Sequence, residues 1–142
     1  FIDKSNLSNC EIVSDDKIKS HILQKSIFAV AKSGTVSLEI SNAKIPSIIL
    51  YKMGLINFLI VKSLVKTKYA NIINFAANEE IIPELIQSNC NPKSIFRHVS
   101  NFLENPEKIQ EQVDKVQNIL NDLKINGTSS ELASLSLNKF LK

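Results

Sequence analysis

Ile27-Phe28-Ala29-Val30-Ala31-Lys32-Ser33-Gly34-Thr35-Val36-Ser37-Leu38-Glu39-Ile40 is the stretch that decides the reading of this chain. The apolar run Ile27–Ala31 stops at a small-residue turn, Ser33-Gly34-Thr35. A helical stretch then opens with Val36, Leu38, Glu39 and Ile40. The order is that of a buried strand, a tight turn and a helix N-terminus. Such a junction attracts anions, because free backbone N–H groups and the positive end of the helix converge on one point. Small residues let the anion approach the backbone. Glu39 falls one helical turn after Thr35 and offers two acceptor oxygens to a ribose diol. Together these residues point to a nucleoside diphosphate. On its own the motif is common in α/β proteins, and Ser33 and Thr35 would also serve as a plain helix cap.

Upstream of the turn, Cys10–Val13 reads as a short strand. Ser14 or Asp15 then caps a helix running to about Lys25, with Ile18, Ile22 and Leu23 on one face. The unbroken apolar run Ile27–Ala31 predicts a strand buried on both faces of a parallel sheet. A helix from about Thr35 to Asn42 is broken by Lys44-Ile45-Pro46, and Ser47–Tyr51 is the third strand. Leu55–Leu64 reads as an apolar helix ending in lysines, and Tyr69–Ile73 as a last short strand. Asn78 precedes a helix expected near Glu79–Gln87, with Pro83 close to its start. Asn91-Pro92 and Asn105-Pro106 are helix starts, each pairing a capping Asn with Pro at the first helical position. The second opens a long amphipathic helix whose stripe is Ile109, Val113, Val116, Leu120 and Leu123. Asn126-Gly127 ends it, and a final helix is expected from about Ser130 to Leu141. Strands alternating with helices, then helices alone, predict an α/β fold with a parallel sheet and a helical C-terminal part.

The bulk composition narrows the function classes. A chain of 142 residues makes one domain at most. Net charge is +3, carried almost wholly by lysine, with a single arginine, Arg97. Aromatic residues are 6% of the chain, too few to interleave with basic residues as a nucleic-acid platform, so no nucleic-acid partner is expected. Cys10 and Cys90 lie far apart and read as free thiols. His21 and His98 are isolated and no cluster has metal-ligand spacing, so no metal is expected. The best apolar span, Ile45–Val65, is interrupted by Pro46, Lys52, Gly54, Asn57 and Lys62, and no membrane crossing is expected. The first residues carry no charged region of an export signal, and the chain opens without a methionine, as a part of a longer protein would.

Several further segments, taken in order, resemble the lipid-A-disaccharide synthase family. They are Ala31–Glu39, Ala43–Pro46, the pair Tyr51-Lys52, Leu64–Tyr69, Ile73-Asn74 and Glu80–Gln87. The family consists of UDP-sugar glycosyltransferases of GT-B architecture, with two Rossmann-like halves. The likeness is to the C-terminal, donor-binding half. It implies a Rossmann-like UDP-sugar-binding part over residues 1–90 and a helical segment packed on it over 91–142. It also implies transfer of 2,3-diacylglucosamine from UDP to 2,3-diacylglucosamine 1-phosphate, with no cofactor. The catalytic carboxylate is expected in the other half, so no catalytic residue is expected here and the chain alone is expected to be inactive. By the same resemblance, Ser33, Gly34 and Thr35 would hold the diphosphate, Glu39 the ribose hydroxyls, and Asn74 would lie near the substrate cleft in a loop. Lys52 would reach phosphate from a strand end, and Gln87 falls in the family's matching helix.

The implied partners are UDP-2,3-diacylglucosamine and a lipid acceptor. The implied location is cytoplasmic, at the inner face of the inner membrane of a Gram-negative bacterium. Lys62, Lys66 and Lys68 form a basic patch that would favour anionic headgroups. The apolar stripe Ile109–Leu123 would promote a homodimer through the C-terminal helices if left uncovered. The alternatives are the donor half of another GT-B enzyme of UDP-N-acetylglucosamine and a non-catalytic nucleotide-binding module. Tyr51-Lys52 and Lys66-Thr67 with Tyr69 favour the synthase.

Overall fold

The computed structural model describes residues 9–54, 57–58, 63 and 68–123. The expected helix over 55–64 lies mostly outside that set, although Asn57, Phe58 and Ser63 are helical. Lys62, Lys66 and the elements expected beyond Leu123 lie outside it as well.

Helix α1 spans Asp16–Lys25. Its cap is Asp15, whose Oδ1 accepts from the N–H groups of Lys17 at 2.8 Å and Ile18 at 3.1 Å. Asp16 in the first turn and Lys25 in the last complement the helix dipole. Only part of the expected apolar face is used. Leu23 packs on the core, whereas Ile18 and Ile22 are exposed. The strand expected at Cys10–Val13 is absent; this stretch is irregular and Ile12 faces solvent. Without burial, its apolar residues gain nothing from an extended ladder.

Strand β1 spans Ala29–Lys32 and β2 spans Ser47–Tyr51. Strand β3 spans Glu84–Ile86. The three form a parallel sheet in the order β1-β2-β3, with Ala31 opposite Ile49 and Ile49 opposite Glu84. The expectation that Ile27–Ala31 is buried on both faces fails. Ile27 precedes the strand and is exposed, and Val30 is 46% exposed. The reason is position: β1 has one neighbour in the described sheet, and β2 is the central strand. Ile48 and Ile49, adjacent on β2, point to opposite faces and are both 0% exposed.

Each face has its own core. On one side Ala31 and Ile49 pack with Ile40, Ile45, Ile73, Ile82, Val116 and Leu120. On the other, Ile48 and Leu85 pack with Phe102, whose ring centroid lies 5.3 Å from that of Phe28. The first face is covered by α2 (Thr35–Asn42), α3 (Ile72–Ala77) and α5 (Pro106–Leu123). The second is covered by α4 (Pro92–Glu104). A parallel sheet sandwiched by helices is the α/β, Rossmann-like arrangement that the strand–helix alternation predicts.

Two segments exchange roles relative to the sequence reading. Tyr69–Ile73 is not a strand. Asn71 caps α3, its Oδ1 accepting from Ile73 N–H at 2.8 Å, and the N–H groups of Ala70 and Asn71 go to the Glu84 carboxylate instead of a ladder. The helix expected over Glu79–Gln87 is instead β3 followed by a 3₁₀ turn, Gln87–Asn89. Pro83 sends its carbonyl to Ile49 N–H at 2.9 Å, which draws the chain into the sheet. A residue preceding proline also disfavours helical backbone, which counts against a helix running through Ile82. Asn78 closes α3 in the left-handed conformation, φ 51°, and does not open a new helix.

Both Asn-Pro pairs mark helix starts, but Asn105 donates its amide back to the Asn101 carbonyl at 2.6 Å. Asn91 caps α4 through Ser94 N–H at 3.0 Å, and Pro106 opens α5. The α5 stripe is shifted by one polar member. Gln112, Val116 and Leu120 are buried, while Leu123 is exposed.

Candidate functional site

Because β1, β2 and β3 run parallel, their carboxyl ends meet at one edge of the sheet. That edge carries Lys32-Ser33, Tyr51-Lys52 and Ile86-Gln87. In open α/β sheets this is where ligands bind.

The turn after β1 is built by Gly34, with φ 150° and ψ −165°, a conformation that side-chain-bearing residues avoid. A Cβ there would meet no atom within 4 Å, so the demand for glycine comes from the backbone and not from crowding. Thr35 opens α2, and no side chain caps the helix. Ser33 is therefore not the helix cap that its residue type allows. Its hydroxyl donates across the edge to the Ala70 carbonyl at 2.9 Å. Gly34 and Thr35 are exposed. Ser37 N–H donates to the Gly34 carbonyl at 3.1 Å, which leaves the N–H groups of Thr35 and Val36, with no side-chain cap, beside a small-residue turn, the arrangement an anion needs.

Glu39 is exposed on α2 one turn further on. Its Oε2 receives the Lys19 ammonium of α1 at 3.0 Å, with both side chains about half exposed. The carboxylate remains accessible and is oriented by a weak surface ion pair. Lys52 is exposed just past the end of β2. Gln87, with φ 51°, lies in the 3₁₀ turn and not in a helix. Its side chain clasps Met53: Oε1 accepts from Met53 N–H at 2.8 Å, and Nε2 donates to the Met53 carbonyl at 3.1 Å. It thereby ties the carboxyl ends of β2 and β3 together.

Asn74 lies in α3, not in a loop, and is 0% exposed. Its Oδ1 accepts from the N–H groups of Ile81 and Ile82, each at 2.9 Å. Its Nδ2 donates to the Ile82 carbonyl at 2.6 Å and to Glu84 Oε1 at 2.8 Å. Both acceptor sites and both donors of the amide are engaged. The structure therefore gathers Ser33, Gly34, Thr35, Lys52 and Gln87 at one edge, sets Glu39 along α2, and places Asn74 beneath the surface.

Glu84 is a residue the sequence reading passed over. It accepts from Ala70 N–H at 2.7 Å, Asn71 N–H at 3.0 Å and the Asn74 amide. No local pattern marks it, because its partners lie 10 to 14 residues away. The segment it holds lines a groove of about 260 Å³ bounded by Tyr69, Ala70, Ile72 and Phe75. Lys68 stands 5.8 Å over the Tyr69 ring. Among the described residues, no group of three or more His, Cys, Asp or Glu side chains is placed to hold a metal ion.

The family model described as lipid-A-disaccharide synthetase matches residues 2–137. Three similar relatives are lipid-A-disaccharide synthases of Rickettsia. That of Rickettsia conorii (strain Malish 7) is 44% identical over 108 residues, covering 76% of this chain and 24% of the relative. That of Rickettsia bellii (strain OSU 85-389) is 39% identical over 112 residues, covering 79% and 29%. That of Rickettsia felis is 38% identical over 134 residues, covering 92% and 34%. The chain thus spans about a third or less of the length of these relatives. With nearly its whole length matched, and with the sheet, turn and helix order in place, the chain belongs to the lipid-A-disaccharide synthetase family.

Proposed function

We propose that this chain is the donor-nucleotide-binding part of a lipid-A-disaccharide synthase, a hexosyltransferase. The reaction moves 2,3-diacylglucosamine from UDP to 2,3-diacylglucosamine 1-phosphate and releases UDP. The observation that carries this reading is the uncapped N-terminus of α2, exposed at the carboxyl edge of the sheet with Glu39 one turn beyond. As the sugar–oxygen bond breaks, negative charge grows on the departing diphosphate. Preorganised backbone N–H groups stabilise such charge without reorganising. The N–H groups of Thr35 and Val36 take the diphosphate, Glu39 the ribose hydroxyls, and Lys52 adds a cation from the neighbouring strand end.

The catalytic carboxylate belongs to the remainder of the longer protein, so this chain alone binds without turnover. Residues 1–90 act as the nucleotide-binding unit and 91–142 as its helical cover, a division supported by the packing of α4 and α5 on the sheet. Among the described residues no helix is long and apolar enough to cross a membrane. We place the protein peripherally at the inner face of the inner membrane, with Lys62, Lys66 and Lys68 toward headgroups. Liposome binding that survives a triple Lys→Ser change would rule that patch out. Dimerisation through the C-terminal helices belongs to the same reading and is checked by sedimentation at high concentration.

The deciding experiment is a titration of UDP, with GDP as control, followed by backbone amide shifts. Selective shifts over Ser33–Glu39 that disappear in Glu39→Ala support the site. A folded chain showing none would leave the turn with a purely structural role.

A further inference from the structure

The Ala70–Asn71 peptide group is hydrogen-bonded at both ends. Its N–H, on Asn71, donates to Glu84 Oε1 at 3.0 Å, and its carbonyl, on Ala70, accepts from the Ser33 hydroxyl at 2.9 Å. The other carboxylate oxygen of Glu84 takes Ala70 N–H at 2.7 Å. A carboxylate at the N–H end polarises a peptide and makes its carbonyl a better acceptor, so the two bonds reinforce one another. Ser33 is the residue before Gly34, so whatever fixes Ser33 fixes the turn that opens α2. Its single hydroxyl proton is directed at Ala70. While that bond stands, Ser33 cannot donate to a phosphate, and the backbone N–H groups of α2 must do so.

We infer that Glu84 is a positioning residue for the anion-binding turn, acting through the Ala70–Asn71 peptide and the Ser33 hydroxyl. The inference rests on the diphosphate reading above and deepens it. Glu84 touches no ligand. It holds the segment after Lys68 in place and, through it, the turn that receives the diphosphate. The ordinary role of a strand glutamate, pointing to solvent, does not account for three donors converging on one carboxylate from three different residues.

The test uses the whole chain and UDP. Wild type, Glu84→Gln, Ser33→Ala and the double variant are titrated calorimetrically, with thermal melts run in parallel. Glu84→Gln replaces one acceptor oxygen with a donor facing an N–H group. It is expected to weaken UDP about tenfold, in the range of a lost charge-assisted hydrogen bond. Ser33→Ala is expected to weaken UDP similarly, and the double variant no further than the worse single, because both act on one relay. UDP affinity within about twofold of wild type in Glu84→Gln, or losses that multiply in the double variant, would overturn the inference. A wild-type chain that binds no UDP sinks the diphosphate reading itself, and this inference with it. Should Glu84→Gln fail to fold, Ser33→Ala still decides. Removing the hydroxyl must move the Asn71 amide proton upfield if the peptide relays polarisation. An unmoved Asn71 resonance overturns the relay.

Discussion

Gln112 grips Ser47 by both of its backbone polar groups. Its Oε1 accepts from Ser47 N–H at 2.7 Å, and its Nε2 donates to the Ser47 carbonyl at 3.1 Å, across 65 residues of sequence. The same Nε2 reaches the Ile81 carbonyl at 3.1 Å. One buried amide on α5 thus completes the ladder at the start of the central strand, where β1 and β3 leave groups unmet. It explains why a polar residue replaces an apolar one in the stripe of that helix.

Gln112→Leu is expected to destabilise the chain by about 2–4 kcal/mol. The apolar volume is kept, but a buried N–H and two carbonyls lose their partner. Urea denaturation followed by circular dichroism measures this. A change under about 0.5 kcal/mol would show that water replaces the amide without cost.

Asn74→Asp is expected to be worse than Asn74→Ala. The new carboxylate would face Glu84 Oε1 and the Ile82 carbonyl, two acceptors, where the amide now donates. Each variant should lose at least about 2 kcal/mol, from buried groups left unpaired. If either melts like wild type yet loses UDP binding, Asn74 acts at the ligand and not only in the fold.

Ile49→Ala is expected to cost about 2–5 kcal/mol, because Ile49 lies at the centre of one core and the site cannot collapse around it. Val30→Ala, on the edge strand and 46% exposed, is expected to cost less than about 1 kcal/mol. Equal costs would mean that β1 is buried in solution as its sequence predicts.

Hydrogen bonds to Glu79 first and Glu111 second hold the Lys115 ammonium above its ordinary pKa of 10.5. A lysine shifted upward contributes its stability below the unfolded value and loses it as pH rises through the folded one. The stability gap between wild type and Lys115→Met should therefore be flat from about pH 6 to pH 9 and close only above the ordinary lysine range. Thermal melts across that range check it. A gap that closes near neutral pH would assign the effect to another group.

Much of the fold is local and so legible in the sequence. Asp15, Asn91 and Pro106 set helix starts through their own neighbours, Gly34 sets a turn by its freedom at positive φ, and the strand Ser47–Tyr51 declares itself by Ile48-Ile49-Leu50 just after Pro46. These depend on backbone preferences that act within a few residues. The errors fell where distant partners decide. Glu84 drew in the N–H groups of Ala70 and Asn71 and turned an expected strand into a helix start, while Ile49 captured Pro83 and turned an expected helix into a strand.

The candidate site divides along the same line. Ser33, Gly34, Thr35 and Glu39 lie within one short stretch, so the sequence alone determined the turn, its helix and the spacing to the carboxylate. Only the tertiary structure decided that Ser33 bonds to Ala70 instead of capping α2, and that Asn74 is buried with its amide fully engaged. It also decided that Gln87 and Lys52 share the edge with the turn. The physical reason is that hydrogen-bond partners across a parallel sheet are chosen by register and packing, which no short stretch of residue types encodes.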